Sequence, residues 1–239
     1  MWVEQWPFNS EKLSALYQLV EREVQAGHLE PSISPWNAPV FVIQKKDTTK
    51  WRLLHDLRAV NQQMQAMGAL QPGLPWGSAI PKDWPIVIVD IKDCFFSIPL
   101  HPANKQRFAF TVPSVNLAQP AQCWQWTVLP QGMKNSPVIY QLYVAKATAP
   151  LREGRSDHHV VHYMDDILLA APTEQQVEHL FQCAKALLQQ HNLSIAEAKI
   201  QRGTRLQYLG MTLTGNDISP QPIALAPDVA TLHDIQKLV

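Results

Sequence analysis

The spacing of hydrophobic positions changes several times along this chain, and each change marks an element. Over residues 9–26, Leu13, Leu16, Tyr17, Val20 and Val24 recur at helical spacing, which predicts one apolar face. Asn9 or Ser10 can cap that helix, Glu11 suits its first turn, and Gly27 sits just past its end. Residues 30–39 are rich in Pro and Ser and read as a loop. Val40-Phe41-Val42-Ile43 and Trp51-Arg52-Leu53-Leu54 read as strands of a hairpin with the basic tip Lys45-Lys46-Asp47-Thr48-Thr49-Lys50. On charge alone that tip is a solvated turn. Residues 62–82 are rich in Gly and Pro and read as a loop. Ile86-Val87-Ile88-Val89 has the unbroken apolar pattern of a buried central strand, and it stops at Asp90.

The second half repeats these signals. Residues 108–112 and 123–128 predict another hairpin, because Trp124, Trp126 and Val128 alternate with Gln125 and Thr127. Asn135 or Ser136 followed by Pro137 opens a helix that runs to about Leu151. From His158 to Ala171 two apolar runs flank the adjacent Asp165 and Asp166, the pattern of a hairpin with carboxylates at its turn. Thr173-Glu174-Gln175-Gln176 is a capping box for a helix that buries Val177, Leu180, Phe181, Ala184, Leu187 and Leu188. Residues 227–239 read as the first helix of a further domain, cut short.

Composition narrows the function less than the pattern does. The 239 residues suffice for one large domain or two small ones with a sizeable core. Twenty basic and twenty acidic residues give zero net charge, so any phosphate contacts must come from local patches. Cys94, Cys123 and Cys183 are widely spaced, offering neither a disulfide framework nor metal-ligand spacing, and this points to a reducing compartment. No basic segment precedes an apolar core at the N-terminus, and no apolar run nears the roughly 18 residues that span a membrane. The expectation is therefore a chain that is neither secreted nor membrane-bound.

The chemistry concentrates on three carboxylates. Aspartates are good turn residues, so Asp165-Asp166 alone is equally a polar turn. If the Asp90 strand lies beside that hairpin, however, three carboxylates converge and repel one another. Hard carboxylate oxygens suit Mg²⁺. Two such ions roughly 3.5–4 Å apart can activate an attacking oxygen and stabilise a leaving one in phosphoryl transfer. His158, His159 and His162 raise a zinc reading, but on a strand His158 and His159 point to opposite faces, and packing roles are commoner.

At these residues a resemblance enters. Tyr163-Met164-Asp165-Asp166 resembles the YxDD box of retroviral reverse transcriptases. Asp90-Ile91-Lys92-Asp93-Cys94-Phe95-Phe96-Ser97-Ile98-Pro99-Leu100 resembles the family's first palm motif, and Leu129-Pro130-Gln131-Gly132-Met133-Lys134-Asn135-Ser136-Pro137 the motif between them. The similarity runs from about Trp6 to the C-terminus and is of alpha- or betaretroviral type, endogenous proviruses included. It implies an RNA-directed DNA polymerase fragment with an α+β fold. Residues 1–82 and 104–128 would form the fingers. Residues 83–103 and 129–226 would form a palm, a ferredoxin-like βαββαβ antiparallel sheet with helices on one face, and residues 227–239 would begin a thumb.

The resemblance also implies roles. Asp90, Asp165 and Asp166, with the backbone carbonyl of Ile91, would be the catalytic metal ligands for two Mg²⁺ ions, Mn²⁺ being an alternative. Lys45 and Arg52 match residues that hold the incoming triphosphate, Arg as a bidentate fork and Lys as a point charge. Asp93 and Gln131 would touch the same nucleotide, and Phe95 would check its sugar, since a ring beneath the ribose clashes with a 2′-OH. The neighbouring Phe96 is read as a core aromatic. Lys199 would sit near the leaving pyrophosphate as general acid or charge neutraliser. Asp56, Arg58, Asn61, Gly132 and Met164 would face template or primer, although Asp56 and Arg58 equally suit a surface ion pair. Tyr208-Leu209-Gly210 resembles the primer grip, and Gln71-Pro72-Gly73-Leu74-Pro75 the template grip. The partners implied are an RNA or DNA template with its primer, dNTPs, and downstream thumb, connection and ribonuclease H domains or a second subunit, in the cytoplasm or a virion. Ribonuclease H activity would belong only to the longer parent. Two other readings remain open here: an inactive endogenous remnant lacking those domains, and another two-metal enzyme such as a nuclease, in which Lys45, Arg52 and Gln131 have no evident use.

Overall fold

The computed structural model describes residues 1–45, 49–69, 75, 83–153, 157–215 and 217–220. The tip residues Lys46, Asp47 and Thr48, the stretch Gln71-Pro72-Gly73-Leu74 and the expected C-terminal helix lie outside the described residues. The fold is α+β, with helices and antiparallel sheets. Helix α1 (Ser10–Gln25) starts where the Asn9 side chain accepts a hydrogen bond from the Lys12 amide at 2.8 Å. It ends as Gly27 takes a φ of +75°, a conformation glycine adopts without penalty. Its buried line runs through Ala15, Leu16, Leu19, Val20 and Glu23, while Leu13, Tyr17 and Val24 are only half-buried.

Strand β1 (Leu29–Pro31) follows, then the hairpin of β2 (Val40–Gln44) and β3 (Trp51–His55), in register from Val40↔His55 to Gln44↔Trp51. The short helix α2 (Arg58–Gln62) has no side-chain cap. Strand β4 (Ile86–Asp90) leads into a one-turn helix at Cys94–Ser97, and helix α3 (Pro102–Lys105) precedes strands β5 (Ala109–Val112) and β6 (Gln122–Trp126). The expected 108–128 hairpin is present, and β1 joins its other edge to give the order β1-β6-β5. The Glu30 carboxylate fastens that edge by accepting from Lys105 and Gln125.

Helix α4 (Ser136–Thr148) connects to the hairpin of β7 (His159–Tyr163) and β8 (Asp166–Ala170). Helix α5 (Glu174–Gln190) is capped by Thr173, whose hydroxyl accepts from the Gln176 amide. It buries Val177, Leu180, Phe181, Ala184 and Leu188, with Leu187 half-buried. The chain then forms β9 (Gln201–Arg202), β10 (Arg205–Tyr208), β11 (Met211–Thr214) and β12 (Asp217–Pro220).

The sheet that positions the site has four strands in the order β7-β8-β4-β9, every neighbour antiparallel. Successive side chains on a strand face opposite ways, and the two faces meet different partners. Val87 and Val89 of β4, with Ile167 and Leu169 of β8, join the main core, which includes residues of α4 and α5. Ile88, Leu168 and Ala170 face the other way, against Leu206, Tyr208 and Leu213 of the β10–β11 hairpin. Burial on both faces explains why Ile86–Val89 reads as one apolar run rather than an alternation. Among the described residues, no helix is long and apolar enough to cross a membrane.

Candidate active site

The apolar strand β4 delivers Asp90 to the end of the sheet, directly opposite Asp166, the first residue of β8. Residues paired across antiparallel strands share a face, with Cβ atoms typically about 4.5–5.5 Å apart. Met164 and Asp165 make the two-residue turn before β8, and Met164 takes a φ of +53°. A long side chain is uncommon in this left-handed region, where Gly is the usual solution. The Ile91 amide donates to the Asp165 carbonyl at 2.8 Å, tying the turn to the end of β4. Beyond it, Lys92 donates to Ser194 and the Ala196 amide donates to the Asp90 carbonyl. Asp93 and Cys94 then take φ values of +60° and +36°. Left-handed backbone at Met164 and at Asp93-Cys94 thus flanks the carboxylates on both sides, a distribution typical of functional sites.

The electrostatics are those of a negative surplus. Burial, then the charges of Asp165 and Asp90, push the Asp166 carboxyl up from 3.8 to about 6, against the opposing pull of Lys199. Lys199 Nζ donates to Asp90 Oδ2 at 2.9 Å, and this bond holds the lysine above its ordinary range. Burial, reinforced by the charge of Asp165, raises the Cys94 thiol to about 12. The Tyr208 hydroxyl is raised by burial and by Asp166. Among the described residues no three His, Cys, Asp or Glu side chains are already grouped to hold a metal ion. The donor chemistry nevertheless fits a hard cation that is held by one or two carboxylates and shared with substrate phosphates, which is how Mg²⁺ usually binds.

A cleft of about 550 Å³ opens between this carboxylate end and the β2–β3 hairpin. Asp90, Ile91, Asp93, Asp165 and Lys199 line one side of it, and Lys45, Arg52 and Gln131 also line it. Asp166, with Asp90 and Lys199, instead lines a smaller adjoining cavity of about 320 Å³. The turn at Gln131 depends on Gly132, whose φ is +90° and where an added Cβ would stand 3.6 Å from the His55 carbonyl. Asn61 holds that turn twice: its amide donates to the Gly132 carbonyl, and its oxygen accepts from the Lys134 amide, both at 2.8 Å.

Other expected residues sit elsewhere. Asp56 and Arg58 form a two-bond ion pair at 2.9 and 2.7 Å, which holds the Asp56 carboxyl below its usual range. The Phe95 ring stands edge-on to Tyr140 and is not among the residues lining the cleft. Phe96 does line it, lying flat against Trp126. Tyr208 is buried, and Leu209 and Gly210, at φ +49° and +76°, form the turn of the β10–β11 hairpin. The histidines disperse: His158 bonds the Leu151 carbonyl, His159 packs on Trp84, and His162 meets Arg152.

Sequence reasoning did not foresee the far wall of the cleft. Arg22, Glu23 and His28 stand there, with the Glu23 carboxylate accepting from Arg22 and bonded to His28 at 2.8 Å. Glu23 lies four residues past Leu19 on the buried line of α1, and a charge on an apolar helix face is the signal that could have flagged it.

The family model described as reverse transcriptase (RNA-dependent DNA polymerase) matches residues 43–213. Across 240 aligned residues the chain is 52% identical to the Gag-Pro-Pol polyprotein of mouse mammary tumor virus and 50% identical to that of Mason-Pfizer monkey virus. It is 51% identical to the same polyprotein of sheep pulmonary adenomatosis virus. Each alignment covers 100% of this chain and 14% of the relative, so the chain spans about a seventh of the length of these polyproteins.

Proposed function

This chain belongs to the reverse transcriptase family, and we propose that it carries the fingers and palm of an RNA-directed DNA polymerase. One observation carries the reading: a single cleft is lined by the hairpin cations Lys45 and Arg52, by Gln131 and Lys199, and by Asp90 and Asp165. Cations for a triphosphate facing carboxylates for a metal are the two halves a nucleotidyl transfer requires. In this reading residues 1–82 and 104–128 are fingers. Residues 83–103 and 129–226 are palm, and residues 227–239 enter a thumb. The chain order β4-α4-β7-β8-α5-β9 with sheet order β7-β8-β4-β9 supports a ferredoxin-like palm.

Asp90, Asp165, Asp166 and the Ile91 carbonyl would hold two Mg²⁺ ions, or Mn²⁺, which supply activation of the attacking primer oxygen and neutralise charge on the leaving one. Lys45 and Arg52 clamp the triphosphate, and Gln131 and Asp93 orient the nucleotide. Lys199, bonded to Asp90 before substrate enters, serves the departing pyrophosphate as general acid or charge neutraliser. Phe95 is assigned to the sugar on the resemblance, from its place against Tyr140. Asn61 and Gly132 shape the turn that presents Gln131. Asp56, Arg58 and Met164 face the template or primer strands, and the Leu209-Gly210 turn, anchored by the buried Tyr208, faces the primer end. The substrates are dNTPs on a primed RNA or DNA template, and the parent polyprotein or a second subunit supplies what lies downstream, in the cytoplasm or a virion.

The test is single-turnover addition of dTTP to oligo(dT) on poly(rA) with Mg²⁺, using excess protein. The wild-type chain adds dT residues to the primer end and the Asp165→Asn variant, equally folded, does not. Equal extension by the two proteins would reduce the carboxylate turn to a turn.

A further inference from the structure

Among the described residues, a side chain of one sheet behind the carboxylates hydrogen-bonds the backbone of the other. Gln201, in the short edge strand β9, donates from Nε2 to the Gln207 carbonyl at 2.9 Å, and its Oε1 accepts from the Gln207 amide at 2.8 Å. A primary amide has the same donor and acceptor pair as a peptide group, so Gln201 acts here as one rung of a β-ladder. The register explains why that rung is open. Leu209 and Gly210 form a two-residue turn closed by Tyr208↔Met211, which leaves Gln207↔Thr212 as the next pair. In an antiparallel ladder hydrogen-bonded and non-hydrogen-bonded pairs alternate. The amide and carbonyl of Gln207 thus point outward, away from β11, as exposed edge groups that invite pairing.

The position of this clasp matters. Gln201 pairs with Ile88, two residues before Asp90 on β4. Ile88 and Asp90 point to the same face, the face covered by Leu206, Tyr208 and Leu213. The hairpin therefore covers the apolar part of the face that ends in Asp90 and Asp166, and Tyr208 lies near enough to Asp166 to feel its charge. Apolar contact alone lets the small three-stranded sheet β10-β11-β12 slide or rock. Two directional bonds from Gln201 fix its register against β4. Gln201 is also among the residues lining the 320 Å³ cavity with Asp90, Asp166 and Lys199.

We propose that Gln201 is a positioning residue: its side-chain amide clasps the Arg205–Thr214 hairpin to the catalytic sheet and so sets the primer end against the carboxylates. The proposal deepens the polymerase reading above and rests on it for the second half only. Two measurements separate the halves. Amide hydrogen exchange on the metal-free chain reads the clasp without any activity. In Gln201→Ala the Gln207 amide exchanges about ten-fold faster, while amides of β8 keep their protection. Gln201→Glu retains the acceptor for the Gln207 amide and lies between wild type and Gln201→Ala. Unchanged Gln207 exchange in Gln201→Ala overturns the clasp. Single-turnover kinetics reads its use. Gln201→Ala lowers the rate at saturating dNTP about ten-fold and leaves the KM for dNTP within about two-fold, because Lys45, Arg52 and Gln131 are untouched. A raised dNTP KM with an unchanged maximal rate, or no kinetic change despite faster Gln207 exchange, overturns the positioning role. Failure of the wild-type chain to extend any primer counts against the polymerase reading and with it the positioning role, and the exchange result still decides the clasp.

Discussion

Asp166 binds its proton more tightly in the folded chain than a free aspartate does, because burial and the charges of Asp165 and Asp90 oppose ionisation. A carboxyl whose folded value lies above its unfolded one stabilises the fold fully only below the unfolded value, and that contribution is lost as pH rises through the folded value. Here the window runs from 3.8 to about 6. The gap corresponds to about 3 kcal/mol if unscreened. Asp166 is only half-buried, so solvent screening reduces the expected effect to about 1–2 kcal/mol. Asp166→Asn keeps the shape and removes the charge. In chelator, the variant should match wild type near pH 4 and be more stable by about 1–2 kcal/mol at pH 7, with a gap that shrinks in high salt. Denaturant unfolding at pH 4, 5.5 and 7 measures this directly. The same variant should lose nucleotide addition, trading function for stability. A variant less stable than wild type at pH 7, or a gap independent of pH, refutes the charge-repulsion argument.

Two substitutions probe the cleft walls. Asn61→Ala removes both bonds that hold the Gln131 turn, so it should cost about 1–2 kcal/mol and raise the KM for dNTP more than it lowers the maximal rate, as read by melting and steady-state kinetics. Phe95→Val should relax discrimination against ribonucleotides in competition assays while leaving Mn²⁺ binding intact. Unchanged sugar selectivity would return Phe95 to a packing role against Tyr140.

Elements with a long run of one period were legible in the sequence. The β7–β8 hairpin, β4, α1 and α5 each carry several apolar positions in register, and their boundaries differ from the expected ones by a residue or two. What escaped was short or non-local. Strand β1 has three residues, and two of them, Glu30 and Pro31, fall in the Pro- and Ser-rich stretch expected to be loop, so nothing local marks it; its partner β6 makes it a strand. Helix α2 has five residues and no side-chain cap. At Phe95 and Phe96 the chain passes from a left-handed turn into a one-turn helix, where neither the strand nor the helix period says which ring faces the cleft. The convergence of Asp90 with Asp166 followed from pattern only on the assumption that the two strands were neighbours, and the register supplies that. The roles given to Lys45, Arg52 and Lys199 came from the resemblance. Their composition alone marks them as solvated cations. Gln201 was beyond sequence reasoning, because an amide that completes another sheet's ladder leaves no local signature.

The central claim is that hairpin cations and sheet carboxylates build one site, so nucleotide and divalent ion must bind there together. The most direct measurement is Mn²⁺ binding by electron paramagnetic resonance, with and without dTTP. Coupling between two ligands at one site is reciprocal. Mn²⁺ should bind the protein about ten-fold more tightly when dTTP is present, and the gain beyond the ion's own affinity for dTTP should disappear both in Asp90→Asn and in Lys45→Ala/Arg52→Ala. Mn²⁺ binding that ignores dTTP, or a coupling that survives both sets of substitutions, would contradict the claim.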